Sequence, residues 1–237
     1  MAKKIIVWAL FDSETCTVAK SLPECEVYSF GVGGGTGHIN LDLSDFKTAK
    51  RELDNYPRPD VIFASPPCES WVTLSVGVKR NFTKAKGLNY HWRKRWVPFD
   101  FLESGKKTRL NGVNTALALA RIILHYKPKF WAVENGLSSL MFDFIEEFTR
   151  LKGCRNKCNY ASYGFDVLKP TIIYSNAPLE LKRDKTRASL CIQRKVKDHY
   201  KGMTEKQIYI ERSKVPRELY QDIMRQFMIF FLGGGGG

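Results

Sequence analysis

Asp60-Val61-Ile62-Phe63-Ala64-Ser65-Pro66-Pro67-Cys68 is the stretch on which the fold turns. Its first half is nearly all apolar, with Pro57 and Pro59 before it and two prolines closing it. A strand that is apolar on both faces belongs in the middle of a parallel sheet, where helices cover both sides. The rest of the chain supplies matching parts. Ile5–Phe11, Glu26–Val32, His38–Leu43 and Phe130–Glu134 read as further strands, and Thr15–Leu22, Val113–Tyr126, Ser138–Arg150 and Pro216–Phe230 as helices. Pro216 falls near a first helical turn, where its missing N–H costs nothing. Asn159–Phe165 and Thr171–Ser175 read as a closing hairpin. This alternation predicts an α/β fold with a mostly parallel sheet and helices on both faces.

The chain has 237 residues, 43% of them apolar, enough for one well-buried domain and a small appendage. That composition excludes a collagen, a disordered tail and a disulfide scaffold. Lys and Arg number 38 against 24 Asp and Glu, a net charge of +14. Such an excess favours a polyanionic partner, nucleic acid before an acidic membrane surface. The six cysteines fit no framework spacing and read as reduced thiols of a cytosolic protein. Cys154 and Cys158 lack a second Cys/His pair, so no metal is expected. The apolar run after Lys3-Lys4 is too short for a signal peptide and enters Asp12 and Glu14 without a cleavage site. Phe227–Leu232 is too short to cross a bilayer. The five glycines 233–237 are set aside as a cloning scar or a disordered tail.

Two stretches interrupt the alternation. Residues 77–112 carry Lys79, Arg80, Arg93, Lys94 and Arg95, with Tyr90, Trp92, Trp96 and Phe99 among them. Residues 178–213 are also basic and include Arg183 and Arg187. Solvated surface loops would have this look, but basic residues interleaved with aromatics suit phosphate contact with base stacking. Nucleic-acid contact is the expectation for both.

Ligand sites of open α/β sheets lie at the carboxyl ends of the strands. Cys68 falls there, just past the decisive strand, in a turn stiffened by two prolines. A lone cysteine is usually a small buried apolar residue; at a stiffened strand end it is also a candidate nucleophile. Glu134-Asn135-Gly136 ends another strand. The carboxylate there suits a helix-cap role, or it can bind or protonate a ring nitrogen of a substrate in the same crevice.

Ser65-Pro66-Pro67-Cys68, Val133-Glu134-Asn135 and Tyr160-Ala161-Ser162-Tyr163-Gly164-Phe165 resemble, in order and spacing, the motifs of DNA cytosine-5 methyltransferases, particularly the short members of phages and prophages. Leu10-Phe11-Asp12 resembles the start of the family's first motif, Asn40-Leu41-Asp42-Leu43 its acidic motif, and Arg212-Ser213-Lys214-Val215-Pro216 its last. The resemblance implies a Rossmann-like S-adenosylmethionine-dependent methyltransferase fold with a small basic recognition segment, acting on double-stranded DNA in the cytoplasm of a bacterial host cell. It implies catalytic roles for Cys68, Glu134 and Asn135, with Lys169 and Thr171 standing where the family usually has two arginines. Cofactor contacts would come from Phe11, Asp12, Ser13, Asp42, Asp45, Ser65, Pro66 and Ser213. DNA contacts would come from Lys79, Arg80, Arg93, Lys94, Arg95, Arg183 and Arg187. The family's chemistry accounts for these residues. A thiolate at Cys68 adds to C6 of cytosine while Glu134 protonates N3, C5 takes the methyl, and loss of the C5 proton expels the cysteine. The base must leave the duplex stack first.

The chain also departs from the family. Ser13 and Thr17 stand where its first motif has glycines, and Gly31-Val32 stands where an acidic residue would hold the ribose hydroxyls. The glycines from 33 to 37 follow the second strand, not the first, and so do not make a dinucleotide fingerprint. A catalytic core over 1–176 is expected, then a recognition segment over 177–210 and a returning helix over 211–232, in a monomer. Two rival readings share the motifs: a lapsed methyltransferase-fold protein that binds DNA without catalysis, and an enzyme using a modified donor or pyrimidine. A membrane-surface protein ranks behind them, for want of a basic amphipathic helix.

Overall fold

The computed structural model describes residues 3–12, 16–33, 35–71, 103–165, 168–183, 201–204, 207 and 214–232. Its strands are β1 (Ile6–Leu10), β2 (Glu26–Gly31), β3 (His38–Asn40), β4 (Val61–Ala64), β5 (Phe130–Gly136), β6 (Cys154–Asn159) and β7 (Pro170–Ser175). Its helices are α1 (Thr17–Ser21), α2 (Phe46–Leu53), α3 (Glu103–Tyr126), α4 (Met141–Phe148) and α5 (Arg217–Leu232). The strands form one sheet in the order β3-β2-β1-β4-β5-β7-β6. Neighbours from β3 through β5 pair in parallel, and β7 runs antiparallel to both β5 and β6. The chain therefore has the expected Rossmann-like α/β fold.

Period-two alternation divides the strands between two cores. Trp8, Leu10, Phe30, Ile62, Ala64, Trp131, Val133 and Tyr174 face one way, against Ala49, Leu53, Leu119, Ile123, Phe142 and Ile145 of α2, α3 and α4. Val7, Ala9, Val61, Phe63, Phe130, Ala132 and Ile173 face the other, against Val18 of α1 and Leu219, Ile223, Met224 and Phe227 of α5. Val61–Ala64 is buried throughout, as its apolar run requires. Strand order reverses between β1 and β4, and in open sheets of this kind the ligand crevice lies at the carboxyl ends of the strands at such a reversal.

Three elements differ from expectation. The closing hairpin is built from β6 and β7, with Cys154 opposite Ser175 and Asn159 opposite Pro170. Residues Tyr160–Tyr163, expected in a strand, form a 3-10 turn capped by the Asn159 side chain, which accepts from the Ala161 amide at 3.3 Å. The helix expected from Val113 begins at Glu103, so the end of the first basic stretch is helical. Helix α2, absent from the sequence reading, is N-capped by Asp45, whose carboxylate accepts from the Thr48 amide at 2.9 Å. Of the recognition segment residues 177–183, 201–204 and 207 are described, and Ala177, Leu179 and Leu181 at its start are buried in the second core. No described helix is long and apolar enough to cross a membrane.

Candidate active site

The loop after β4 is tied down on three sides. The Ser65 amide extends the β1–β4 ladder by donating to the Leu10 carbonyl at 3.1 Å. Asn135, fully buried in β5, donates through Nδ2 to the Pro66 carbonyl at 3.2 Å. The Trp71 carbonyl accepts from the Leu140 amide at 3.1 Å, at the entrance of α4. A Cβ on Gly112 of α3 would lie 2.4 Å from Ser70 Cβ, so only a glycine lets the helix approach the loop this closely. Cys68 stands in the middle of this fixed loop with its side chain exposed.

Exposure does not leave the thiol in a water-like setting. Desolvation by the surrounding chain pushes its pKa up, the negative charge of Glu134 adds to that, Lys169 pulls the other way, and Glu69 pushes up again. Besides the adjacent Glu69, the charged side chains that act on this sulfur are Glu134 and Lys169. Glu134 is itself held. Its Oε1 accepts from the Tyr160 hydroxyl at 2.7 Å and lies 3.6 Å from Lys169 Nζ. Tyr160 is wholly buried, and Lys169 Nζ sits 4.6 Å from the centre of its ring. Burial and the Glu134 charge hold the Tyr160 phenol protonated well above its ordinary value, so it is a permanent donor to the carboxylate.

Successive residues of β5 therefore serve opposite faces of the sheet. Glu134 meets Tyr160 on one side, and Asn135 meets Pro66 and the Met141 side of the core on the other. Thr171, assigned with Lys169, is wholly buried, and its hydroxyl donates to the Lys169 carbonyl at 3.0 Å. That bond fixes the backbone of Lys169.

The crevice on the β1 side is made differently. Phe11 follows β1 with a left-handed backbone, φ 56°. The Asp12 amide donates to the Phe30 carbonyl at 3.1 Å, and the Asp12 carboxylate accepts from Ser29 Oγ at 2.9 Å. Gly31 ends β2 so close to this chain that a Cβ would lie 2.7 Å from the Asp12 carbonyl oxygen. Ser65 reaches the last helix, with Oγ 3.4 Å from the Tyr220 hydroxyl. Tyr220 is buried, and its phenol is pushed up by desolvation first and then by the charges of Asp12 and Glu134. It therefore lies between the two halves of the site. Asp42 and Asp45 lie on the exposed turn after β3. Asp42 Oδ1 accepts from the Ser44 amide at 2.8 Å, and Asp45 caps α2. Pro66 is buried with its carbonyl engaged by Asn135.

The structure thus brings Cys68, Glu134, Asn135 and Lys169 to one place, and Phe11, Asp12 and Ser65 to its neighbour. Arg183 lies beside β6, its Nε donating to the Lys157 carbonyl at 2.9 Å. Ser13, Ser213, Lys79, Arg80, Arg93, Lys94, Arg95 and Arg187 lie outside the described residues. Tyr160 and Tyr220 are additions. Tyr160 is the first residue of the Tyr160–Phe165 motif, whereas nothing in the apolar pattern of the last helix marks the Tyr220 hydroxyl.

No family model matches the chain, and no curated protein matches it. Among solved structures it is similar to a triple mutant of DNMT2 from Spodoptera frugiperda, with 13% identity and a TM-score of 0.42 over 78% of this chain. The chain spans 56% of that structure. A likeness of this size adds nothing to the strand order already described.

Proposed function

We propose that the chain is an S-adenosylmethionine-dependent DNA cytosine-5 methyltransferase of the short phage and prophage type. The observation that carries this reading is that Cys68, on a clamped loop just past β4, and Glu134, held by Tyr160 and Lys169 in the adjacent β5, stand near enough for the carboxylate's charge to raise the thiol's pKa. An attack on C6 of a flipped cytosine needs such a thiol on one side of the ring and a proton source at N3 on the other.

The residues also fit the cofactor. Adenosine suits the crevice where strand order reverses, beside Phe11 and Asp12, with Ser65 and Tyr220 at its inner end. When bound, S-adenosylmethionine supplies an electrophilic methyl group. The chain's own work is to hold and activate the base. Cys68 passes its proton to the Glu134 carboxylate and its sulfur bonds to C6; the electron pair of the C5–C6 double bond moves through the ring as Glu134 delivers that proton to N3. C5 then carries the nucleophilic pair. After C5 gains its methyl, the C5 proton leaves to a base, the pair re-forms the C5–C6 bond, the sulfur departs, and N3 returns its proton to Glu134. Asn135 acts through the Pro66 carbonyl by fixing the loop. Basic residues 77–102, outside the described part of the chain, and Arg183 suit the phosphates of the duplex.

Cys68→Ser tests the reading most directly. A hydroxyl is close in size to the thiol but far harder to ionise. Methyl transfer to duplex DNA should fall to background while the fold and cofactor affinity stay unchanged. Duplex containing 5-fluorocytosine should trap the wild type covalently, since fluorine cannot leave C5 as a proton does. Methyl transfer by Cys68→Ser at the wild-type rate removes the proposal.

A further inference from the structure

His38 opens β3, and its ring reaches back over the ends of β1 and β2. Its Nε2 lies 3.1 Å from the Asp12 carbonyl oxygen and would be 3.2 Å from a Cβ on Gly31. A carbonyl oxygen only accepts, so Nε2 is the nitrogen that carries the proton. In the neutral ring Nδ1 is then an acceptor. Nδ1 is buried and meets no hydrogen-bond donor among the described residues. A buried acceptor without a partner is costly, and native chains rarely keep one without a use.

Its position suggests the use. Gly31 ends β2 and Val32 follows it, at the place where the family that the motifs resemble would have an acidic residue for the ribose hydroxyls of an adenosyl cofactor. The backbone explains why no side chain can stand at position 31: Asp12 passes too close. A ligand group lying beside Asp12 thus loses its usual partner from β2 and finds the imidazole of β3 in its place. We infer that His38 Nδ1 accepts a hydrogen bond from one ribose hydroxyl of the adenosyl cofactor, replacing the carboxylate missing from the end of β2. This rests on the cofactor reading above. The substitution changes what is recognised, since a carboxylate has two oxygens and can take both hydroxyls, whereas one imidazole nitrogen takes one.

The test uses the full chain, calorimetry and S-adenosylhomocysteine as probe. His38→Gln keeps a terminal N–H for the Asp12 carbonyl and loses the acceptor; it should bind about tenfold more weakly. His38→Asn keeps an oxygen near the place of Nδ1 and should stay within about threefold of the wild type. Of the 2′-deoxy and 3′-deoxy forms of the probe, one should lose about tenfold against the wild type and nothing further against His38→Gln. In case a variant folds poorly, the 15N spectrum of the wild type gives a second reading. The unprotonated His38 Nδ1 resonance should move toward the hydrogen-bonded range as the probe is added, with Nε2 unchanged. Wild-type affinity in folded His38→Gln, equal binding of both deoxy forms and the parent, or an unmoved Nδ1 resonance overturns the inference while leaving the cofactor reading intact. Absence of any binding by the wild type overturns both.

Discussion

The two halves of the crevice hold their working groups in opposite ways. On the β4–β5–β7 side, each side chain in the proposed chemistry is fixed by another buried side chain: the Cys68 loop by Asn135, Glu134 by Tyr160, and Lys169 lies over the Tyr160 ring. On the β1–β2–β3 side the walls are backbone, with Asp12 pressed against Gly31 and the acids Asp42 and Asp45 on an exposed turn. The difference suits the two tasks. Bond formation at C6 requires atoms placed to within a fraction of an ångström, whereas a nucleoside can be held by shape and a few hydrogen bonds.

The contrast is broken most severely at Asn135. Asn135→Leu fills a similar volume but leaves the Pro66 carbonyl buried without its donor, at a cost of about 1–3 kcal/mol in stability. A displacement of Cys68 by about 1 Å would lower methyl transfer about a hundredfold, with S-adenosylhomocysteine affinity unchanged in the same calorimeter. A fall in cofactor affinity as large as the fall in rate would show that the two halves are one unit.

Gly31→Ala probes the other wall. Backbone stands on both sides of the 2.7 Å contact, so the strand ends must separate. Denaturant unfolding should show a loss of about 1–3 kcal/mol, and cofactor binding should weaken. The alkylation rate of Cys68 should not change. A wild-type alkylation rate together with weakened binding confirms that the wall serves the nucleoside alone.

How much of each half could be read in the sequence follows from the same contrast. Residues at strand ends that carry chemistry, Cys68 and Glu134, stand out because their neighbours are apolar or proline. Backbone proximity leaves no such trace, and the contact of Asp12 with Gly31 joins segments nearly twenty residues apart. The hairpin departs from its expected place for a related reason. Cys154–Asn159 reads Cys-Arg-Asn-Lys-Cys-Asn, an edge strand with little apolar content, while the aromatic Tyr160–Tyr163 turn has strand-like composition. Helix α2 buries only Ala49 and Leu53 amid lysines and other polar residues, so its hydrophobic stripe is too thin to read, although its cap at Asp45 was available.

Smaller effects are expected in the acidity of the thiol. Cys68→alkylated product can be followed by mass spectrometry at Cys68 with iodoacetamide over a range of pH. Its folded pKa is raised, so the rate should climb as pH rises through that raised value, later than for a free thiol. Glu134→Gln removes a negative neighbour and should speed alkylation at fixed pH. Lys169→Met removes a positive one and should slow it. Glu134→Gln should at the same time slow methyl transfer, because a neutral amide cannot deliver the N3 proton. Opposite signs in one variant separate the carboxylate's electrostatic effect from its role as an acid, and equal signs would place Glu134 away from the sulfur.

The smallest effect belongs to the exposed turn of the nucleoside side, where two acids were both expected to meet the cofactor. Asp45 caps α2, and hydrogen bonds from Thr48, its side chain first and then its amide, hold the carboxyl below the ordinary carboxylate range. A depressed folded pKa means that the stabilisation is fully present above the unfolded value and fades as pH falls through the folded one. Asp45→Asn keeps a capping oxygen but cannot titrate. Its melting temperature should therefore match the wild type in acid and fall slightly below it near neutral pH, where the wild-type cap is charged at the positive end of a helix. Cofactor affinity should not change with it. Asp42 differs, because its Oδ1 accepts from the Ser44 amide while its Oδ2 has no hydrogen-bond partner among the described residues and is open to an adenine amino group. Asp42→Asn should weaken S-adenosylhomocysteine binding several-fold and leave the melting temperature alone. The reverse pattern, with affinity lost at Asp45 and kept at Asp42, would move the adenine one turn along the chain toward α2.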